Sequence, residues 1–129
     1  MKLLHIGITS DSENRADAFF ADLFGLKKAE PKTVAAPLVK AIFGVDAELK
    51  VINYTADGIQ FEVFISAPRP READPIPHVC LAVKDLAAFL KKSRNLGIET
   101  FQVPRGDSLL TFARDGAGNL FEIKERKAG

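Results

Sequence analysis

The sequence predicts an α+β fold: two β-α-β-β-β modules that form a curved mixed sheet. Three observations predict it. The order strand, helix, strand, strand, strand occurs twice along the chain, faint in residue identity but clear in pattern. The two histidines each stand in an apolar run that opens one half, His5 in Lys2-Leu-Leu-His5-Ile-Gly-Ile-Thr9 and His78 in Ile76-Pro-His78-Val-Cys-Leu-Ala-Val83. Each half then closes on an apolar run with a carboxylate in its middle, Glu62 in Ile59-Gln-Phe-Glu62-Val-Phe-Ile65 and Glu122 in Asn119-Leu-Phe-Glu122-Ile123.

The first module spans 1–67. A strand is expected over 3–9, followed by Ser10-Asp-Ser-Glu-Asn, which is rich in N-cap residues. Ala16, Phe19, Phe20, Leu23 and Phe24 then recur at helical spacing, and Gly25 suits the end of that helix. A second strand begins over 26–29. An insertion follows at 31–46, where Leu38, Val39, Ile42 and Phe43 fit one short helix. It reads as the cover of a sheet edge; the alternative is a wall or lid over a pocket. Strands over 49–54 and 59–66 flank a turn at Ala56-Asp57-Gly58. A proline-rich linker occupies 68–77 and stays extended because its prolines cannot continue a ladder.

The second module, 78–129, repeats the order more compactly. A strand over 76–83 reaches back across the linker's end. It leads to Lys84-Asp85 and a helix over 86–96, with Leu86, Phe89, Leu90 and Leu96 on its apolar side and Gly97 as its stop. Strands follow over 98–103 and 109–113. The turn Asp115-Gly-Ala-Gly-Asn119 feeds a last strand over 120–124.

Alternation of side chains assigns faces. Leu4, Ile6 and Ile8 form one aliphatic set; His5, Gly7 and Thr9 face the other way. Val79, Leu81 and Val83 oppose His78, Cys80 and Ala82. Phe61, Val63 and Ile65 oppose Gln60, Glu62 and Phe64, while Phe121 and Ile123 oppose Leu120, Glu122 and Lys124. Each half thus has an apolar face for its helix and a second face bearing one His and one Glu beside small residues. A carboxylate within an apolar strand is costly unless it is paired or bound to a metal. Two such carboxylates matched with two histidines point to one divalent metal site in a cleft shared by both modules. Two imidazoles and two carboxylates suit Zn, Ni, Co, Mn or Fe.

Composition narrows the remaining classes. The chain has 129 residues, 47% of them hydrophobic, and a formal net charge of +1. That suits one domain, or two small halves with a real core, and points to neither nucleic acid nor a membrane surface as partner. Cys80 is the sole cysteine, so no internal disulfide forms, consistent with a reducing cytoplasm. The start turns polar too soon for a signal peptide.

These segments resemble the vicinal oxygen chelate superfamily, which includes glyoxalase I, methylmalonyl-CoA epimerase, extradiol dioxygenases and bleomycin-resistance proteins. The resemblance covers the chain apart from 31–46. It rests on His5-Ile-Gly-Ile with Phe19-Phe-Ala-Asp-Leu-Phe-Gly-Leu26, on His78-Val-Cys-Leu-Ala-Val83, and most specifically on Asp115-Gly-Ala-Gly-Asn-Leu-Phe-Glu122. Gly116 stands where the family pattern has proline. The resemblance implies His5, Glu62, His78 and Glu122 as metal ligands, with Glu122, or else Glu62, as the base that removes a proton next to a metal-chelated carbonyl of a small substrate. It implies a lyase or isomerase of glyoxalase or epimerase type and a homodimer. An extradiol-type Fe dioxygenase and a non-catalytic drug- or metabolite-binding protein are the alternatives. A fourth protein ligand closes part of the open iron face that a dioxygenase uses.

Other residues carry weaker expectations. Cys80 reads as a small buried hydrophobe. Lys124 reads as solvated, or as a contact for an anionic substrate. Arg69, Arg71 and Arg105 are candidates for an anion at the cleft mouth. Phe64, Leu110 and Phe112 are candidates for core or pocket lining. Tyr54, the sole tyrosine, has no assigned role.

Overall fold

Each half of the chain builds its own mixed sheet. The computed structural model describes residues 1–67 and 75–126, and the chain divides into two units, Met1–Pro68 and Arg69–Gly129. Most of the linker, with Arg69 and Arg71, lies outside the described residues.

In the first unit β1 (Ile6–Ser10) leads to helix α1 (Glu13–Ala16), which runs on into a π-helical segment (Asp17–Leu23). Short strands β2 (Lys27–Lys28) and β3 (Lys32–Val34) precede helix α2 (Ala36–Phe43) and the long hairpin β4 (Leu49–Ala56) and β5 (Ile59–Ile65). The sheet order is β1-β5-β4-β2, with β3 also on β4; β1 and β5 are parallel and the other pairs antiparallel.

The helix starts where expected because Ser12 Oγ accepts the Arg15 N–H at 3.1 Å, satisfying one orphan donor. It ends at Gly25, whose φ of 72° is open to glycine at little cost. The unforeseen feature is the wider π-helical turn. The Phe24 N–H donates to Phe19 O, five residues back. That shift keeps both Phe19 and Phe20 buried. The Phe20 ring stacks on Tyr54 at 5.2 Å and meets Phe61 at 5.1 Å, so the helix docks on the Ile6, Ile8, Phe61, Val63 face as the alternation requires.

In the second unit β6 (Val79–Val83), helix α3 (Leu86–Asn95), β7 (Thr100–Arg105), β8 (Ser108–Arg114) and β9 (Leu120–Glu125) give the order β6-β9-β8-β7, again with the first and last strands parallel. This is the topology of the first unit. Asp85 Oδ1 accepts the Ala88 N–H at 2.9 Å and caps α3; Gly97, with φ 71°, ends it. Pro104 is tolerated because β7 is an edge strand. Phe121, Ile123 and Ala113 are buried.

Several boundaries differ from the sequence reading. The strand expected over 3–9 begins only at Ile6, where its ladder with β5 starts at Ile6↔Phe61. Leu4, expected among the helix-facing set, is 71% exposed. The strand expected over 76–83 begins at Val79, since Pro77 has no N–H to give to a ladder. Both histidines therefore stand just before their strands rather than inside them. Cys80, expected to be buried, is exposed, because it lies on the face of β6 away from the helix.

The insertion holds more structure than expected. β3 pairs with β4, and α2 begins with Pro37 in its first turn and ends at Gly44, φ 73°. Val39 is buried, whereas Leu38, Ile42 and Phe43 are exposed. The Phe43 ring meets Phe64 edge-on at 5.3 Å. Phe64 shares the face of Glu62, so the end of α2 touches that face.

Candidate metal centre

Strand register puts each candidate glutamate opposite the start of the strand that follows its histidine, but among the described residues only His5 and Glu62 come within ion-pair distance; His78 and Glu122 do not. In the first unit Glu62 pairs with Gly7 on one side and Asn53 on the other. His5 lies two residues before Gly7, on the same side of the chain. In the second unit Glu122 pairs with Cys80 and Phe112, and His78 lies two residues before Cys80. The offset is identical.

His5 Nε2 stands 3.4 Å from Glu62 Oε2, with both side chains partly exposed. That is longer than a charge-assisted hydrogen bond, usually about 2.7–2.9 Å. Two donors on one divalent cation, each bonded at about 2.0–2.2 Å, stand roughly 3.0–3.5 Å apart. The spacing therefore fits a bound cation. Gly7 keeps this edge open; a Cβ there would meet only Phe64 Cε2, at 3.8 Å.

His78 Nδ1 lies 2.8 Å from Ile76 O; a carbonyl only accepts, so Nδ1 is the donor in this contact and Nε2 is the ring nitrogen left to face a ligand. That backbone contact is the arrangement that orients a metal-binding imidazole. Glu122 is mostly buried, and Lys124 Nζ lies 3.8 Å from its Oε2. The loop before β9 fixes the strand that carries it. Asp115 Oδ1 accepts from the N–H groups of Ala117 at 3.0 Å and Asn119 at 2.8 Å, and Asp115 Oδ2 accepts from Asn119 Nδ2 at 2.8 Å. Gly118 has φ 82°, which explains glycine there. Gly116 is not among the glycines of positive φ, so its replacement of proline is not imposed by a left-handed backbone.

Within either unit, no three His, Cys, Asp or Glu side chains among the described residues gather closely enough to hold an ion. Each unit by itself offers one imidazole and one carboxylate, donor types that suit Zn, Ni, Co, Mn or Fe.

Sequence reasoning missed three neighbours of these residues. Asn53, opposite Glu62, accepts from Gln60 Nε2 at 2.9 Å. Phe43 reaches Phe64 from α2, a contact that no local pattern signals. Phe101 stacks on Phe112; its alternation on β7 was readable once the partner strand was known. Arg105 lies at the β7–β8 hairpin end, paired with Ser108, four positions along β8 from Glu122's partner Phe112. Tyr54 is explained by packing: its buried OH donates to Asp17 Oδ1 at 2.7 Å. Burial, then that carboxylate, push its ionisation well above the usual phenol range.

No family model matches the sequence, and no curated protein matches it. Solved structures do. A glyoxalase family protein from Bacillus cereus is similar over 99% of this chain and 95% of that chain, with 19% identity and a TM-score of 0.72. A glyoxalase family protein from Enterococcus faecalis is similar over 96% and 97%, with 18% identity and a TM-score of 0.70. A variant of the fosfomycin resistance protein FosX from Listeria monocytogenes, complexed with Mn(II) and 1S,2S-dihydroxypropylphosphonic acid, is similar over 97% and 90%, with 15% identity and a TM-score of 0.70. No helix among the described residues is long and apolar enough to cross a membrane. Glyoxalase family and FosX proteins belong to the vicinal oxygen chelate superfamily, and the fold of this chain is theirs.

Proposed function

We propose that the chain is a divalent-metal-dependent lyase or isomerase of glyoxalase or epimerase type, acting on a small carbonyl compound. The observation that carries this reading is the repeated His–Glu offset, with His5 Nε2 and Glu62 Oε2 at ligand-like spacing. His5, Glu62, His78 and Glu122 would hold the ion. When bound, the ion polarises a substrate carbonyl and holds its vicinal oxygen.

The chain's own groups supply the proton chemistry. Glu62 faces His5. Glu122, whose other contact is the looser one to Lys124, would loosen from the ion to take a proton from the carbon beside the carbonyl and return it to the neighbouring carbon; in an epimerisation Glu62 would serve the opposite face. Phe64, with Phe43 against it, shares the face of Glu62, and Phe112 stands opposite Glu122; these rings would limit bulk water near a bound substrate. A homodimer accompanies this reading.

A second reading has one observation behind it: the FosX neighbour binds Mn(II) with a vicinal diol phosphonate. Lys124, beside Glu122, is a cation on the right face for a phosphonate.

Metal analysis of the purified protein tests the common part; one divalent ion per chain is expected. Loaded with Ni, Zn or Mn, the enzyme should isomerise a hemithioacetal or epimerise a 2-methylmalonyl thioester, and Glu122→Gln should abolish turnover. Consumption of fosfomycin instead would favour the second reading. Oxygen uptake with catechols under Fe would replace both with a dioxygenase. Equal binding of a drug or metabolite by metal-free and metal-loaded protein would mean a binding module.

A further inference from the structure

The position across the ladder from Glu122 is aromatic where the position across from Glu62 is polar. Phe112 is the register partner of Glu122 on β8, and Phe101 pairs with Phe112 from β7. Their rings stack with centroids 5.1 Å apart and 15° between planes. The Arg114 guanidinium lies over the Phe101 ring, 5.6 Å from its centroid, and Arg114 Nη1 donates to Gly118 O at 3.2 Å. The outer ring is thus held from a second side. Both rings remain partly exposed. On the opposite flank Glu122 pairs with Cys80, a small side chain that leaves room beside the carboxylate.

The duplicated fold does not demand this. The position opposite Glu62 is Asn53, hydrogen-bonded to Gln60. A rigid, half-exposed pair of stacked rings beside a reactive carboxylate is a surface for another flat apolar group, whose burial and ring contact are both favourable.

We propose that Phe112 and Phe101 determine specificity by holding an aromatic group of the substrate next to its vicinal oxygens. This rests on Glu122 belonging to the metal centre. The chemical class it selects is an aryl-substituted carbonyl or hydroxy-carbonyl compound rather than a short aliphatic one.

Two hydroxamates test it, since both chelate a metal through neighbouring oxygens and differ in phenyl against methyl. Calorimetric titration of the Mn- or Co-loaded protein should show benzohydroxamate binding about tenfold or more tighter than acetohydroxamate. Phe112→Leu and, separately, Phe101→Leu should bring the ratio toward one while metal affinity stays within about twofold; circular dichroism confirms that each variant is folded. A ratio near one in the unaltered protein overturns the proposal and leaves the metal centre standing. A ratio that survives both substitutions overturns it as well. Failure to bind any divalent ion overturns both this proposal and the reading beneath it.

Discussion

His5 and Glu62 are informative because their separation is wrong for a strong hydrogen bond and right for two ligands. Replacing His5 with Ala, or Glu62 with Gln, should weaken divalent-ion affinity by roughly 10-fold to 100-fold or more. Isothermal titration with Mn or Zn measures it; unchanged affinity in both variants would remove the first half-site. Tyr54 makes the contrasting case. Its hydroxyl serves Asp17 and stands in the core rather than on the His–Glu face, so Tyr54→Phe should cost about 1–2 kcal/mol of stability in urea unfolding and leave ion affinity unaltered. The sequence showed the residue types that could bind an ion and their repeated order. It did not show that Leu4 stays in solvent or that His5 and His78 precede their strands, because an apolar run alone does not say where a neighbouring ladder begins.

At the scale of elements, the first helix is tied to its sheet by a chain of charges as well as by rings. Lys28 Nζ contacts Glu13 Oε2 at 2.6 Å and Asp17 Oδ2 at 3.0 Å, and Lys50 Nζ contacts Glu13 Oε1 at 3.0 Å. The hydrogen bonds from Lys28 and then Lys50 hold Glu13 below its ordinary value of 4.5. Its contribution is therefore present above pH 4.5 and is lost as the pH falls further. Glu13, then Asp17, hold Lys28 above its ordinary 10.5, so its contribution is present below pH 10.5 and is lost as the pH rises further. Lys28→Met should thus lower the melting temperature by a steady amount between about pH 5 and pH 10, with the gap to the unaltered protein closing outside that window. The Asp115 loop predicts differently. Asp115→Ala strands two backbone N–H groups and should cost about 2 kcal/mol, and because that loop leads into β9, it should also weaken ion binding. The helix itself was legible from the spacing of Phe19 and Phe20. Its π-helical turn was not, since both ring positions satisfy the ordinary period and only docking against Tyr54 and Phe61 selects the wider one. The insertion's helix was likewise legible, but its Phe43–Phe64 contact joins residues far apart in sequence.

For the whole molecule, duplication was the most legible property. The two strand orders agree, and the turn from Asp115 to Asn119 carried the most specific family signal before any coordinates. What pattern could not supply was pairing: which strands are parallel, and which residue stands opposite each glutamate. Those facts make Asn53 and Phe112 equivalent, and they are consequences of register rather than composition. If the two half-sites serve a single ion, His5→Ala and His78→Ala should each lower the bound-ion count per chain, and together they should abolish it; elemental analysis after dialysis measures this. Sedimentation of the metal-loaded protein, expected to give a homodimer, fixes the number of chains that take part.

The parallel alignment of the first and last strand in each unit has a lasting effect. In the first unit His5 and Glu62 are brought together by the ends of neighbouring strands, so the length of chain looped out between them is free to drift. Residues 31–46 occupy that freedom in one unit and have no counterpart in the other. That segment can therefore be lengthened, trimmed or reshaped while the strands that carry His5 and Glu62 stay in register.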